Sequence, residues 1–83
     1  MRLVVKYHGI IADMVGVKTE DVDLPDGATV ADLRAALGSR DETIDAILVQ
    51  TRTFVGGHMA DKAAVLTDGT EVVFMRPIAG GRA

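Results

Sequence analysis

Period-two alternation opens the chain: Leu3, Val5 and Tyr7 alternate with Arg2, Lys6 and His8, with Val4 the one exception. That pattern predicts a strand buried on one face. Gly9 and Gly16 bracket Ile10–Val15, a connection too short for a substantial helix. From Lys18 to Leu24, apolar Val22 and Leu24 stand among Thr19, Glu20, Asp21 and Asp23. This reads as a second strand whose charges suit the edge of a sheet. Pro25-Asp26-Gly27 then ends it in a turn.

The clearest helix comes next. Thr29 is a good N-cap, Asp32 follows as its capping-box partner, and Gly38 closes the far end. Val30, Leu33, Leu37 and the small Ala36 fall on one face. Asp41–Ala46 can add a helical turn, whereas Ile47-Leu48-Val49-Gln50 reads as a buried strand. Phe54-Val55 reads as a short strand before a Gly56-Gly57 turn. Asp68-Gly69 is a tight-turn signal leading into a last strand, Glu71–Arg76. Pro77 cannot donate to a ladder, so pairing is expected to stop there.

The order is strand, strand, helix, strand, short strand, strand. It predicts an α+β fold of the β-grasp kind: one mixed sheet of about five strands with one main helix packed across a single face. The domain is expected over residues 1–77, with 78–83 a flexible tail carrying a di-glycine. One helix leaves the other face of the sheet uncovered. Val72, Val73, Phe74 and Met75 are apolar on both faces, so alternation sends one pair towards the helix and the other outward. An exposed apolar patch marks a partner site unless a loop covers it. The docking candidates are therefore Val73, Phe74, Met75, Arg76 and Pro77.

Composition narrows the function. Eighty-three residues make one small domain. Tyr7, Phe54 and Phe74 are the only aromatic residues, so the core must rest on Val, Leu, Ile and Ala. The absence of cysteine removes disulfides, thiol nucleophiles and cysteine-ligated metal centres. A net charge of −3 speaks against a nucleic-acid binder and suits docking on basic partner surfaces. Met1–Lys6 is a short apolar run broken by a charge, unlike a signal segment. No stretch reaches the length of a membrane span, so the expectation is a cytoplasmic protein without a membrane partner.

Candidate chemistry concentrates at Ala79-Gly80-Gly81, followed by Arg82-Ala83. Without side chains, a di-glycine can enter a narrow channel and present a terminal carboxylate there. By itself it is only a flexible end. The flanking motifs change that weighting. Leu24-Pro25-Asp26-Gly27-Ala28-Thr29-Val30-Ala31-Asp32-Leu33 resembles the "LPxGxTVxDL" strand-to-helix join of the ubiquitin-like sulfur carriers. Leu66-Thr67-Asp68-Gly69-Thr70-Glu71-Val72-Val73-Phe74, followed by Arg76-Pro77-Ile78-Ala79-Gly80-Gly81, resembles that family's "LxDGDEVxFxPPxxGG" ending. The small subunit of molybdopterin synthase is the type it most resembles, with the thiamine-pathway carrier a near relative.

The resemblance implies that Gly81 is adenylated by an E1-like adenylyltransferase that consumes ATP. A sulfur donor, rhodanese or cysteine desulfurase, then converts it to a thiocarboxylate. The tail would thread Ala79, Gly80 and Gly81 into the molybdopterin synthase large subunit, and the carrier would bind no cofactor of its own. Arg82-Ala83 departs from family members that end at the second glycine. The expectation is a precursor cut between Gly81 and Arg82, by a zinc metalloprotease of the deubiquitinase type, with a vector-derived tail the dull alternative. Other outlets for the same chemistry are thiamine, cysteine, tRNA or secondary-metabolite thiolation, or conjugation to lysines as a modifier. A binding module with an inert tail is the remaining reading.

The other chemistry-bearing residues have plainer readings. His8 and His58 lack the companions of a metal site, so no metal is expected. Asp41, Glu42 and Asp45 read as a solvated face, and Met14, Met59 and Met75 as packing or docking residues. No phosphate loop, Ser-His-Asp set or zinc signature appears, so the chain is not expected to be an enzyme acting alone.

Overall fold

The structure, a computed structural model, describes residues 1–76. Alternation in the first strand becomes alternation of burial. In β1 (Arg2–Tyr7), Leu3, Val5 and Tyr7 are buried while Arg2 and Lys6 are exposed. The chain continues through α1 (Ile10–Val15), β2 (Thr19–Asp23), α2 (Val30–Gly38), α3 (Glu42–Val49), β3 (Arg52–Val55), β4 (His58–Ala60) and β5 (Glu71–Met75). The strands form one sheet in the order β2-β1-β5-β3-β4. Among the described residues only the β1–β5 pair is parallel, so the sheet is mixed, and charged β2 forms one edge as expected.

Packing is one-sided. Ile11 of α1, Leu33 and Leu37 of α2, and Leu48 of α3 share one core with Leu3, Val5, Val72 and Phe74 of the sheet. Tyr7 and Phe74 supply its aromatic contact, stacked with ring centroids 6.1 Å apart. The start of α2 is fixed twice over. Thr29 Oγ1 accepts from the Asp32 amide at 3.3 Å, and an Asp32 carboxylate oxygen accepts from the Thr29 amide at 2.9 Å. The loop before β5 meets the next orphan donors: Val30 N–H donates to the Ala64 carbonyl and Ala31 N–H to that of Lys62.

Three details differ from the sequence reading. Ile47-Leu48-Val49 ends helix α3 and is not a strand. Asp41 caps that helix by accepting from the Thr43 amide at 2.6 Å, and once the helix starts there only Leu48 of the apolar run is buried. Val49 faces outward, 67% exposed. The strand this removes is replaced by β4, on the far side of Gly56-Gly57. Both glycines have positive φ, 58° and 85°, which lets a two-residue hairpin follow the sheet twist. Finally, Gly38 belongs to α2, and Ser39 follows it as a right-handed C-cap. The glycine is needed for close approach, because a Cβ there would collide with the Asp45 side chain of α3. Pro77 and the expected tail lie outside the described residues.

Leu33 is fully buried at the centre of this core. Leu33→Ala should therefore lower unfolding stability by about 2–5 kcal/mol, read from the urea midpoint. Thr29→Ala, which removes half of the capping box, should cost about 0.5–2 kcal/mol in the same measurement.

Candidate functional site

β5 carries the chain to the candidate chemistry, and its two faces have separate tasks. Val72 and Phe74 are fully buried, while Val73 and Met75 are half-buried on the opposite face. Phe74 is thus corrected from a docking residue to a core residue. It pairs with Tyr7 on one side and Thr53 on the other, with its ring under the helices. Arg76 is exposed immediately after the strand. Pro77, Ala79, Gly80, Gly81 and Arg82 lie outside the described residues.

Register builds the outward face from neighbours distant in sequence. Val73 lies between Lys6 of β1 and Phe54 of β3, and Phe54 lies beside Met59 of β4. Met75 lies beside Arg52, and Val4 beside Glu71. Val4, Phe54, Met59, Val73 and Met75 therefore form one apolar band, with Met59 62% exposed. None of the helices covers it, since their buried residues pack on the other side. An apolar face ringed by charge is suited to a protein partner. Phe54 and Val4 escaped the sequence reading because only the pairing register brings them beside β5.

Charges around the band fall into two groups. Lys6 Nζ is 2.9 Å from Glu71, and Arg2 Nε is 3.2 Å from Asp23, both pairs exposed and worth little to stability. Arg52 has no carboxylate partner among the described residues, and its Nη1 lies 3.7 Å from the Met59 sulfur. On the buried face, Tyr7 donates its hydroxyl to Glu20 Oε2 at 2.7 Å. Arg40 Nη1 donates to the other oxygen of Glu20 at 2.8 Å. Burial first, then the Glu20 hydrogen bond, push the Tyr7 phenol well above its ordinary value. This network ties the β1–β2 hairpin to the α2–α3 connection and keeps Tyr7 against Phe74. Among the described residues, no group of three acidic, histidine or cysteine side chains converges as metal ligands. No helix among them is long and apolar enough to cross a membrane.

A five-stranded mixed sheet with its helices on one face and a free apolar face defines the β-grasp class. The ThiS family model matches residues 5–81, and the chain belongs to the ThiS family of ubiquitin-like sulfur carriers. Carriers of this family are non-catalytic, bind no cofactor and are activated by E1-like enzymes that use ATP.

Solved structures agree with the fold. A Pyrococcus furiosus protein provisionally assigned as molybdopterin converting factor subunit 1 is similar at 26% identity and TM-score 0.85, over 94% of this chain and 99% of that one. SAMP1 from Haloferax volcanii matches at 21% identity and TM-score 0.84, over 98% of this chain and 100% of that one. A chain in the complex of subunits 1 and 2 of molybdopterin-converting factor from Helicobacter pylori matches at 22% identity and TM-score 0.73, over 98% of this chain and 100% of that one. No match was found among curated proteins.

Tyr7 is the only tyrosine, so ultraviolet absorbance reports it alone. Its raised folded-state pKa means that its contribution to stability is complete below the unfolded value of about 10 and is lost as pH rises above it. Phenolate absorbance should appear only together with loss of the circular dichroism of the fold. Ionisation near pH 10 with the fold intact would contradict the Tyr7–Glu20 network.

Proposed function

We propose that this chain is the small, non-catalytic subunit of molybdopterin synthase and carries sulfur as a thiocarboxylate on Gly81. The observation that carries this reading is the family match, which runs through the di-glycine to Gly81. Similarity to the Pyrococcus furiosus protein supports the molybdopterin role within the family.

The chemistry begins with a free Gly81 carboxyl group. Arg82-Ala83 follow it in this sequence, so hydrolysis of the Gly81–Arg82 bond comes first, with a zinc metalloprotease the proposed agent. A carboxylate is a poor electrophile. The E1-like partner attaches AMP to it from ATP with loss of pyrophosphate. A donor persulfide displaces the AMP to give an acyl disulfide. A second thiol then cleaves its S–S bond, leaving the sulfur on Gly81 and a disulfide between donor and thiol. The resulting thiocarboxylate gives its sulfur to a pterin precursor in the large subunit, and Gly81 returns as a carboxylate. Gly80 and Gly81 suit this task because a close-fitting channel has no side chain to accommodate. The four residues 78–81 would reach roughly 13–14 Å if fully drawn out in a partner's channel. The cycle takes place in the cytoplasm.

Docking is assigned to the band formed by Val73, Met75, Phe54 and Met59, continued by Arg76 and Pro77. The large subunit would cover this apolar face while the tail enters its site. The band's place beside the end of β5 supports this assignment, because one partner can then engage both.

The intact mass of the protein from its own host should show a species ending at Gly81 with one oxygen replaced by sulfur. Gly81→Ala should leave the circular dichroism unchanged and abolish that species. Mixed with the large subunit and pterin precursor, the thiocarboxylated carrier should support dithiolene formation. Sulfur delivery only to another acceptor would overturn the molybdopterin role, and a lysine-linked ladder without thiocarboxylate would overturn the carrier role.

A further inference from the structure

Beyond the apolar band, the sheet turns a second, basic feature outward at its β4 edge. Arg2, Lys6 and Arg40 are paired with carboxylates, whereas Arg34, Arg52 and Lys62 have no such partner among the described residues. Those three cations line one cavity of about 380 Å³, and Arg34 already donates one N–H to the Leu48 carbonyl at 2.9 Å. Asp61 is the acidic residue of its lining, and one Asp61 oxygen already accepts from the Ala63 amide at 2.9 Å. Three cations therefore face one carboxylate in a chain whose net charge is −3.

Thr53 supplies an independent observation. It also lines the cavity and is 4% exposed, yet its hydroxyl makes no hydrogen bond among the described residues. A buried hydroxyl without a partner is costly and uncommon. A carboxylate oxygen entering the cavity would accept from that hydroxyl and from the nearby guanidinium and ammonium groups. The strand above the cavity has a free edge. β4 is outermost in the sheet, and its backbone has no hydrogen-bond partner other than β3 among the described residues.

We propose that the β4 edge and this basic cavity together bind an extended acidic segment of a partner protein. The segment adds as a strand beside His58–Ala60 and places one Asp or Glu carboxylate among Arg34, Arg52, Lys62 and Thr53. Strand addition supplies affinity through the main chain, and the cavity supplies selectivity for a negative side chain. The charge pattern favours this occupant over an apolar one, because an apolar segment would desolvate three cations that lack a carboxylate partner among the described residues and leave the hydroxyl unpaired. The proposal is independent of the sulfur chemistry and needs nothing from the residues beyond Arg76.

The test uses the full chain and two capped peptides, acetyl-Val-Glu-Val-Glu-Val-amide and its Gln counterpart, followed by amide chemical shifts. The Glu peptide should shift the amides of Thr53, Met59, Ala60 and Lys62. The Gln peptide should bind about tenfold more weakly or worse, and Lys62→Glu should weaken the Glu peptide by a similar factor. Thr53→Val keeps the side-chain shape and removes the lone hydroxyl, so it should weaken peptide binding while raising the thermal midpoint. That combination would not arise if Thr53 only supported the fold. Equal binding of the two peptides, or no shift with the Glu peptide, would overturn the proposal. Tighter binding of inorganic phosphate at the same amides would make this a free-anion site and overturn it too. Self-association without peptide would assign the edge to acidic β2 of a second copy, with the same consequence.

Discussion

Everything in this domain depends on the parallel pairing of β1 with β5. It places the first and last strands side by side at the centre of the sheet, with Val5 beside Val72 and Tyr7 beside Phe74. The Tyr7–Phe74 stack, the Glu20 and Arg40 contacts behind it and the core under α2 all require that pairing. Parallel neighbours need a long crossover, and here it comprises β2, the β3–β4 hairpin, every helix and a capping loop. Most core contacts are therefore non-local, and loop closure must precede them, which points to slower folding than a helical domain of this size. Outward-facing Val73 and Met75 are held in place by the same ladder that buries their neighbours.

Legibility in the sequence followed locality. Alternation in β1, the Thr29–Asp32 capping box and the two-faced run in β5 are set by adjacent residues, and each was readable. The segment 41–50 was not, because Ile47-Leu48-Val49 is β-branched and apolar enough for a strand. Its conformation was decided upstream, at the Asp41 cap. β4 was missed because His58-Met59-Ala60 is three residues long with no alternation, and it exists through its register with β3. Phe74 shows a further limit: period two separates it from Val73 but does not say which of them faces the helices.

The candidate site divides along the same line. The family was legible because motif and di-glycine are contiguous in the chain. The band beside it was half legible, as Val73 and Met75 could be found from β5 alone while Phe54 and Val4 required the sheet. The basic cavity was hidden altogether. Its cations come from α2, β3 and the loop after β4, and a net negative composition had directed attention to basic partners. Average charge says little about a surface whose anions and cations are sorted to opposite edges, with Glu20, Asp21 and Asp23 on β2 and Arg52 and Lys62 near β4.

The parallel central pair also has a mechanical meaning. β1 begins at one end of the sheet and β5 finishes at the other, so tension between Met1 and Met75 runs along both strands in opposite directions. Their ladder is then loaded in shear, with its hydrogen bonds strained together, whereas an antiparallel hairpin pulled from its open end would unzip one bond at a time. Rupture under load is governed by the unfolding barrier, and here that barrier includes exposure of the core beneath Tyr7 and Phe74. A protein that grips the chain beyond β5 and pulls would be pulling on the part of the fold built to yield last.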